Sequence, residues 1–538
     1  MQISWKIYLP VLALLILLLM AGLLLLVLNL WTRGQPAQGV DPTLAMLLTL
    51  HVHEAEIATR VALALGGVEE EFVQEEPVIA TPQPEDSLPV DPEMAPTSTP
   101  PLVLEGYLVY VSQPGDTTAA LARRFTTEPG SLLSEVDLPA NGFLSTGTVV
   151  YIPFNETSED FTPAAIVLPD ASIVYGLLDS GFDVFTYVER AGGYLSRYQE
   201  VVAGSTKSGA QIVQEVANMH SISPKMLLAL LEYQSGWVLT DDPGMANNQY
   251  PIGYGISTNK GLYQELYIAG RELLKGYYGW RDGNANHLRF SNGIQRLHPA
   301  VNAGTSAASH LMAGLYTKGE WGTVMYGQDS LPMVYAGMFG DPLAESAQRR
   351  SHLPDGLLQP SLALPFLPGE DYFLTSGPHR AWGIGSPWAA IDFAPADGTR
   401  SCQTASYRIT AAASGVVVRS ETGIVVLDLD KDGDEATGWV LFYLHVAEKD
   451  RAPVGAQLNV DDLIGYASCE GGVATGTHLH FVRKYNGEWM PAAGPIPMVL
   501  SGWVVEQGPR EYSGQLRRGG ALVVANPNPN QTARISRD

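Results

Sequence analysis

The chain has 538 residues, of which 46% are apolar and 16% are charged, and its 32 basic against 56 acidic residues give a net charge of −24. A nucleic-acid-binding protein would show a basic face, so this balance argues against that class. The apolar fraction argues against a wholly disordered chain, and the presence of only two cysteines excludes a disulfide-dense scaffold and a cysteine-rich zinc module.

A long apolar run opens the chain. Residues 7–32 carry no charged side chain, and about 20 apolar residues are enough to span a bilayer. A cleaved signal peptide has a shorter apolar core and a small-residue cleavage site. We therefore predict an uncleaved transmembrane signal anchor within residues 1–35, with a cleaved signal as the alternative. Because Lys6 precedes the span, the positive-inside rule predicts that the bulk of the chain lies outside the cytoplasm, at the cell membrane.

The next residues, 36–104, are predicted to form a short helix and then an extended linker. Asp41 and Pro42 are a helix-start signal, whereas residues 69–101 contain eight prolines and nine acidic residues but no basic one. Such a composition cannot bury a core and behaves as a self-repelling spacer. We expect this linker to set the reach of the modules that follow.

Residues 105–154 combine strand and helix signals. Residues 107–111 alternate as a strand does, residues 117–125 have helical spacing and are followed by a second short helix signal, and residues 147–153 are typical of a closing strand. This β-α-α-β order, with Gly-Asp-Thr before the first helix, resembles a LysM carbohydrate-binding module. The resemblance implies binding of a glycan that contains N-acetylglucosamine.

After a predicted linker at residues 155–203, residues 204–345 are predicted to be mostly helical, because apolar residues recur with helical spacing. The region resembles the lysozyme-like fold of soluble lytic transglycosylases, which place a catalytic Glu directly before Ser-Gly at a helix end. In this chain that position is Gln234. An amide has no proton to give to a glycosidic oxygen, so the favoured interpretation is a degenerate glycan-binding or structural domain.

Two carboxylates remain as alternative acids for this domain. Glu232 lies two residues before Gln234, about 200° round a helix, and Glu265 follows a second segment that resembles a transglycosylase motif. A transglycosylase that acts through Glu232 or Glu265 is therefore an alternative function.

Residues 360–502 are predicted to be an all-β domain with antiparallel pairing. β-rich runs follow one another here, separated by Gly and Asp turns. One of these turns, at residues 428–435, resembles the beginning of a calcium loop. The twelfth position of that loop is Trp439 rather than Glu, so a solvated hairpin turn is the preferred interpretation.

Histidines are concentrated in this β-rich region. His478 and His480 are two residues apart in a predicted strand, so both side chains point to the same face. His445 lies in a predicted strand of its own. Two imidazoles on one face are typical of a metal or catalytic site, and a catalytic zinc ion takes three protein nitrogen or oxygen ligands.

Residues 360–502 resemble the lysostaphin-type zinc endopeptidases that cut peptidoglycan peptides, and more narrowly their β-lytic, staphylolysin-like branch. The His-x-His motif just described is present, and the long gap from His379 to Asp392 fits this branch. The resemblance implies that one zinc ion is held by His379, Asp392 and His480. It also implies that His445 and His478 lie beside the metal as catalytic residues that orient the nucleophile and help proton transfer.

The two cysteines, Cys402 and Cys469, lie after the Asp392 segment and before the His-x-His strand. Two cysteines with no spare in an exported protein predict one disulfide. It would brace both ends of the metal site.

These predictions combine into a multidomain, membrane-anchored cell-wall protein. Its parts are a transmembrane helix, a LysM-like module, a mostly α lysozyme-like domain, an all-β metallopeptidase domain and a C-terminal tail at residues 503–538. The predicted function is that of a zinc metalloendopeptidase hydrolysing peptide bonds of peptidoglycan, with accessory modules that hold the glycan. The alternative from another class is a non-catalytic peptidoglycan-binding or scaffold protein with degenerate hydrolase domains.

Overall fold

The computed structural model describes residues 103–104, 106–154, 160–244, 249–255, 258, 260–399, 401–528 and 530–537. The chain divides into two units, Met1–Glu69 and Glu70–Asp538, and all of the described residues belong to the second unit. The predicted transmembrane segment and the acidic stretch at residues 69–101 lie outside the described residues.

The prediction of a single-pass membrane anchor is corrected. Among the residues that the structure describes, no helix combines the length and the apolar character needed to cross a bilayer. The longest helix there, Leu262–Arg281, has 20 residues but includes charged side chains such as Arg271 and Lys275, and charged side chains in a span are costly. The localisation at the membrane and the transmembrane helix of the predicted fold class are therefore withdrawn.

The small module at residues 106–154 has the predicted strand-helix-strand order. Its elements, with the strand that precedes it, are β1 (Val103–Leu104), β2 (Tyr107–Val111), α1 (Thr118–Arg124), a 3-10 helix (Pro129–Ser131) and β3 (Val149–Pro153). Thr117 starts α1 by accepting a hydrogen bond from the backbone N of Ala120. A second short helix was predicted near residues 131–136, but the structure has only the 3-10 helix that ends at Ser131 and no helix over residues 132–136.

Residues 160–352 are mostly helical, with two short β-hairpins, and they include residues 204–345, which were predicted to be mostly helical. The elements of residues 160–352 are α2 (Val184–Ala191), β4 (Gln199–Val202), β5 (Ser205–Ser208), α3 (Gly209–His220), α4 (Pro224–Ser235), α5 (Leu262–Arg281), β6 (His287–Phe290), β7 (Gly293–Arg296), α6 (Ala303–Leu315), α7 (Lys318–Tyr326), α8 (Leu331–Phe339) and α9 (Pro342–Gln348). Residues 155–203 were predicted to be a linker, but the described residues 160–203 contain the helix Val184–Ala191 and the strand Gln199–Val202. Helix α5 packs against α3 and α6, and 15 of its 20 residues are buried. It is therefore the central element of the helical region.

The C-terminal region is β-rich, as predicted. Its strands are β8 (Asp371–Arg380), β9 (Trp388–Pro395), β10 (Arg408–Thr410), β11 (Gly415–Glu421), β12 (Gly423–Asp428), β13 (Trp439–Val446), β14 (Gln457–Leu458), β15 (Leu463–Tyr466), β16 (Leu479–Tyr485), β17 (Glu488–Trp489), β18 (Val499–Leu500), β19 (Trp503–Gln507), β20 (Gly514–Arg518), β21 (Ala521–Val524) and β22 (Arg534–Ser536). The largest sheet has the antiparallel order β14-β11-β12-β13-β16-β9-β8-β22, with β17 paired to β16.

Residues 503–538 were predicted to be a C-terminal tail, and the structure differs from that prediction. Strand β22 pairs with β8 at the edge of the large sheet, and Val505, Leu516 and Ile535 are buried in the same hydrophobic core as Phe393. These strands have five residues or fewer, too short to give a clear alternation in the sequence. The β-rich region therefore extends to the end of the described chain.

Strand β17 connects the large sheet to the helical region. Trp489 is fully buried, and its Nε1 donates a hydrogen bond to the carbonyl of His220 at 3.1 Å. The carboxylate of Glu488 accepts a hydrogen bond from the Tyr277 hydroxyl at 2.9 Å and lies 3.2 Å from Nη2 of Arg281. The two regions therefore share a buried polar contact.

The buried side chain of His220 predicts a loss of stability in acid. Neither of its ring nitrogens has a hydrogen-bond partner among the described residues, and burial lowers its pKa to about 3. The unfolded chain, with a histidine pKa of about 6.5, takes up this proton first, so folding stability should fall as the pH drops from 6.5 towards 3. In urea denaturation, we expect His220→Leu to reduce the loss between pH 7 and pH 5 by about 2 kcal/mol.

The matched control for this prediction is His287→Leu, because His287 is exposed on β6. This control should keep the pH dependence of the wild type. An unchanged pH dependence in His220→Leu would contradict the prediction.

Candidate metal centre

Three side chains on three neighbouring strands form a buried cluster. His379 lies near the end of β8, Asp392 in β9 and His480 in β16, and these strands are adjacent in the sheet. His480 and Asp392 are direct partners in the antiparallel register. All three side chains are buried, and their ligand atoms lie within 4.8 Å of one another. The order of the strands therefore brings together the three residues that were predicted to hold a metal.

The potential ligand atoms of these three residues converge closely. The distance from Nε2 of His379 to Nδ1 of His480 is 3.0 Å. Oδ1 of Asp392 lies 3.3 Å from Nε2 of His379 and 3.2 Å from Nδ1 of His480. This buried oxygen has no hydrogen-bond partner among the described residues, so its charge is available to a bound cation.

Backbone carbonyls select the ring nitrogens that face the centre. Nδ1 of His379 donates to the carbonyl of Gly377 at 2.9 Å, and Nε2 of His480 donates to the carbonyl of Ala381 at 3.0 Å. A carbonyl can only accept, so these nitrogens carry the hydrogens, and in neutral rings the facing nitrogens present lone pairs. Two such imidazoles and a carboxylate are ligands that zinc takes in catalytic sites. The cluster therefore fits a zinc ion.

The charges within the cluster support an ionised carboxylate. Burial alone would raise the pKa of Asp392, but His379 and His478 hold that pKa well below its ordinary value. Burial lowers the pKa of His379, but the Asp392 carboxylate, the Gly377 carbonyl and Glu511 together raise that pKa above its ordinary value. Burial lowers the pKa of His480. An anionic Asp392 is therefore present to balance part of the charge of a metal ion.

Two further histidines flank the cluster. The rings of His445, in β13, and His478, just before β16, have centroids 4.5 Å apart, and Nε2 of His478 lies 3.8 Å from Oδ1 of Asp392. Nδ1 of His445 donates to the carbonyl of Glu470 at 2.9 Å, and Nδ1 of His478 donates to the carbonyl of Gly476 at 2.7 Å. Nε2 is therefore the basic nitrogen of each ring. Burial lowers the pKa of His445 to about 3, which keeps that ring neutral at pH 7.

A β-bulge determines the position of His445. In the β12–β13 pairing, Gly423 is opposite Val446 but Ile424 is opposite Leu444, so His445 is the extra residue. Its φ is +66°, a conformation that costs a residue other than glycine on the order of 1 kcal/mol or more. Bulges next to active sites re-aim side chains, and no sequence signal predicted this one.

The predicted cysteine pair forms a disulfide next to the flanking histidines. Cys402 and Cys469 are joined across a sequence separation of 67 residues. Glu470, which follows Cys469, supplies the carbonyl that orients the first flanking histidine. Ser401, which precedes Cys402, accepts hydrogen bonds from the backbone N and the hydroxyl of Thr477 at 2.7 and 2.8 Å. The disulfide therefore braces the segments on which both flanking histidines depend.

Tyr512 was not predicted from the sequence, because it lies in the segment expected as a tail. Its ring stacks on His379 with centroids 4.8 Å apart and an interplanar angle of 24°. Its backbone N donates to the carbonyl of Pro378 at 3.1 Å, and its own carbonyl accepts from the N of Gly377 at 2.8 Å. The hairpin turn between β19 and β20 therefore packs against one candidate ligand.

This stacking predicts different effects for two changes of Tyr512. Tyr512→Ala removes the ring that packs on His379, and loss of a group that supports a ligand typically costs about 10–100-fold in metal affinity. Tyr512→Phe keeps the ring and should keep the affinity. Titration of zinc against a competing chelator measures both variants, and equal affinities in the Ala and Phe variants would argue against a positioning role for the ring.

The three residues considered for glycosidase chemistry accept hydrogen bonds from other residues of the helical region. Glu232 accepts hydrogen bonds at 3.0 and 2.9 Å from two backbone N–H groups that follow its helix. Glu265 is fully buried and accepts three hydrogen bonds, at 3.1, 2.8 and 3.2 Å, from the backbone of residues 252–254. Gln234 accepts a hydrogen bond from the Tyr316 hydroxyl at 3.0 Å. These contacts give the transglycosylase alternative no support.

The carboxylates of the acidic turn after β12 accept hydrogen bonds from backbone N–H groups of the same turn. Asp428, Asp430 and Asp432 have carboxylate oxygens within 4.8 Å of one another, but Asp428 accepts hydrogen bonds from the backbone N of Asp430 and of Gly433 at 3.1 and 3.0 Å. Asp432 accepts one from the N of Asp434 at 2.9 Å. This pattern is typical of the hairpin turn that was predicted.

Solved structures show limited likeness to this chain. The M23 metalloprotease pseudoalterin, from the deep sea, is 22% identical with a TM-score of 0.27, over 31% of this chain and 96% of that one. The catalytic domain of the antimicrobial peptidase lysostaphin from Staphylococcus simulans is 22% identical with a TM-score of 0.17, over 22% of this chain and 87% of that one.

Sequence comparisons match this chain to one family model and to LasA proteases. Residues 166–352 match the family model described as the N-terminal domain of LasA. The chain is 27% identical to Protease LasA of Pseudomonas aeruginosa over 354 residues, which are 61% of this chain and 76% of the relative. The LasA protein of a second strain is 27% identical over 333 residues, 58% of this chain and 75% of that protein. These matches give no support to the LysM-like and transglycosylase-like resemblances, and the similarity to LasA proteases supports a peptidase.

Proposed function

We propose that the β-rich C-terminal region is a zinc metalloendopeptidase that hydrolyses peptide bonds of peptidoglycan. The observation that carries this proposal is the convergence of His379, Asp392 and His480. When the two rings are neutral, their hydrogens lie on the nitrogens that donate to backbone carbonyls, so the nitrogens that face the centre carry none. The similarity to LasA proteases supports the class of reaction. The resemblance of residues 360–502 to lysostaphin-type endopeptidases supports peptidoglycan as the substrate.

The three central residues would hold the metal in a defined orientation. Zinc bound there would supply Lewis acidity towards the scissile carbonyl. His379 and His480 would act as neutral ligands, since the carbonyls of Gly377 and Ala381 keep the hydrogen on the far side of each ring. The Asp392 carboxylate would offset part of the positive charge.

The two flanking histidines would handle protons. His445 is neutral at pH 7, and the hydrogen bond from its Nδ1 to the carbonyl of Glu470 leaves Nε2 as a base. His478 is held in the same tautomer by Gly476, and its Nε2 lies on the side of Asp392. Either Nε2 could accept a proton from the attacking water, and the protonated ring could then give it to the leaving amine.

The flanking histidines provide a test that separates catalysis from metal binding. We expect His445→Ala and His478→Ala to bind zinc but to lose about 10²–10⁴-fold in the rate of peptidoglycan hydrolysis, the usual contribution of a general acid or base. Zinc content and the release of new amino groups from purified peptidoglycan measure the two properties on the same samples. His287→Ala, at an exposed position outside the cluster, is the control. Wild-type hydrolysis rates in both flanking variants would refute the catalytic roles.

A further inference from the structure

A cleft of about 800 Å³ lies between the small module, helix α5 and the β-rich region. Asn141 and Phe143 line it from the small module, Tyr278 and Asn284 line it from the end of α5 and the turn after it, and Trp388 lines it from the start of β9. Its volume is within the range of about 300–1,000 Å³ that is usual for sites of small ligands. The size and the mixed lining therefore fit a ligand-binding site.

Two residues that line the cleft are close in sequence to candidate metal ligands. Arg380, which lines the cleft, directly follows His379 in β8, and Trp388 lies on the strand that carries Asp392. The three candidate metal ligands themselves do not line the cleft. A ligand in the cleft would therefore lie against the β8–β9 hairpin, which carries two of the candidate metal ligands, without occupying the metal centre.

Each cationic side chain that lines the cleft already has a partner. The contacts are Arg380 with Glu511 at 2.7 Å, Lys275 with Glu272 at 2.8 Å, Arg281 with Asp170 at 3.0 Å and with Glu488 at 3.2 Å, and Arg123 with the backbone carbonyl of Asp282 at 2.6 Å. An anionic ligand would have to displace these partners. The cleft therefore favours a neutral ligand.

The groups that remain available are amides and aromatic rings. The side-chain amides of Asn141 and Asn284 are exposed, and neither is hydrogen-bonded to another described residue. Each amide can both donate and accept. Phe143 and Trp388 are half-buried and offer ring surfaces to the cleft. This combination suits a ligand with hydroxyl and amide groups around apolar faces, which is the chemistry of an N-acetylated amino sugar.

We propose that this cleft binds the glycan strand of peptidoglycan while the metal centre acts on the attached peptide. The proposal rests on the proposed function, because it assigns a second part of the same substrate to a second part of the same molecule. Holding the glycan beside the β8–β9 hairpin would raise the effective concentration of the peptide at the metal centre without any new contact there. The cleft would thus set which peptide stem reaches the catalytic residues.

Binding of a soluble tetramer of N-acetylglucosamine to the full chain, measured by calorimetry, tests the proposal. The double variant Asn141→Ala, Asn284→Ala should bind about tenfold more weakly or worse, since it loses the hydrogen bonds of both amides. Ala140→Trp, which fills part of the cleft, should abolish binding. Asn528→Ala changes an exposed amide away from the cleft and should bind as the wild type does.

Hydrolysis assays separate this proposal from the proposed function. The double variant should show a KM for intact peptidoglycan raised about tenfold, with an unchanged rate on a peptide that carries no sugar. No tetramer binding by the wild type, or unchanged binding in both cleft variants, would overturn the assignment of the cleft. Tetramer binding by a wild type that hydrolyses neither substrate would support the cleft and refute the proposed function.

Discussion

His480→Ala should lose both zinc binding and peptidase activity. His480 is buried, its Nδ1 faces His379 and Asp392 at 3.0 and 3.2 Å, and its Nε2 is committed to a backbone carbonyl. Without this imidazole, only two of the three candidate ligands remain. Removing a group that merely supports a ligand costs about 10–100-fold in metal affinity, so removing the ligand itself should cost more than about 100-fold and reduce hydrolysis to background.

Zinc titration against a chelator and hydrolysis of peptidoglycan measure the two losses in His480→Ala. His287→Ala changes an exposed histidine of β6 and should match the wild type in both assays. Circular dichroism of the variant shows whether the sheet is intact. A folded His480→Ala protein that binds zinc as tightly as the wild type would contradict the proposed ligand set.

The double variant Cys402→Ser, Cys469→Ser should be strongly destabilised. Its disulfide closes a loop with a sequence separation of 67 residues, and the loss of such a constraint on the unfolded chain corresponds to about 4 kcal/mol. The disulfide also lies next to Ser401 and Glu470, whose carbonyls hold the segments of the flanking histidines. We therefore expect a reduced hydrolysis rate even where the double variant is still folded.

Urea denaturation with and without a thiol reductant tests the effect of the disulfide. The wild type should lose stability when reductant is added, whereas the double variant should not respond. Equal unfolding free energies for the oxidised wild type and the double variant would contradict this account.

One part of the metal site could be predicted because it follows a local rule. The two-residue spacing of His478 and His480 indicates a shared face in any strand, and the structure places both on the side of Asp392. Strand signals in residues 360–502 likewise predicted a β-rich region, which the structure confirms. The family resemblance, rather than spacing, supplied His379 and Asp392 as partners.

The precise geometry of the site could not be predicted because it depends on contacts between distant segments. The adjacency of β16, β9 and β8 is a property of the sheet order, and the bulge at His445 arises from how β12 pairs with β13. Tyr512 reaches His379 only because a hairpin near the chain end packs against β8. None of these pairings leaves a periodic signal in the local sequence.

The helical region illustrates the limit of motif resemblance. Glu232 and Glu265 occupy positions that suggested glycosidase chemistry, but each accepts hydrogen bonds from backbone N–H groups of a neighbouring loop. The sequence shows a carboxylate near a motif and does not show which donors fold around it. The match of residues 166–352 to the LasA N-terminal domain gives this region a different relationship from the one the motifs suggested.

The most direct test of the central claim is the release of amino groups from purified peptidoglycan by the full chain, measured together with its zinc content. We predict about one zinc ion per chain, the number that a three-ligand catalytic site holds, and hydrolysis that is lost on chelation and restored by zinc. A chain that binds zinc at this site but releases no amino groups, or one that cleaves equally well after complete removal of zinc, would contradict the account.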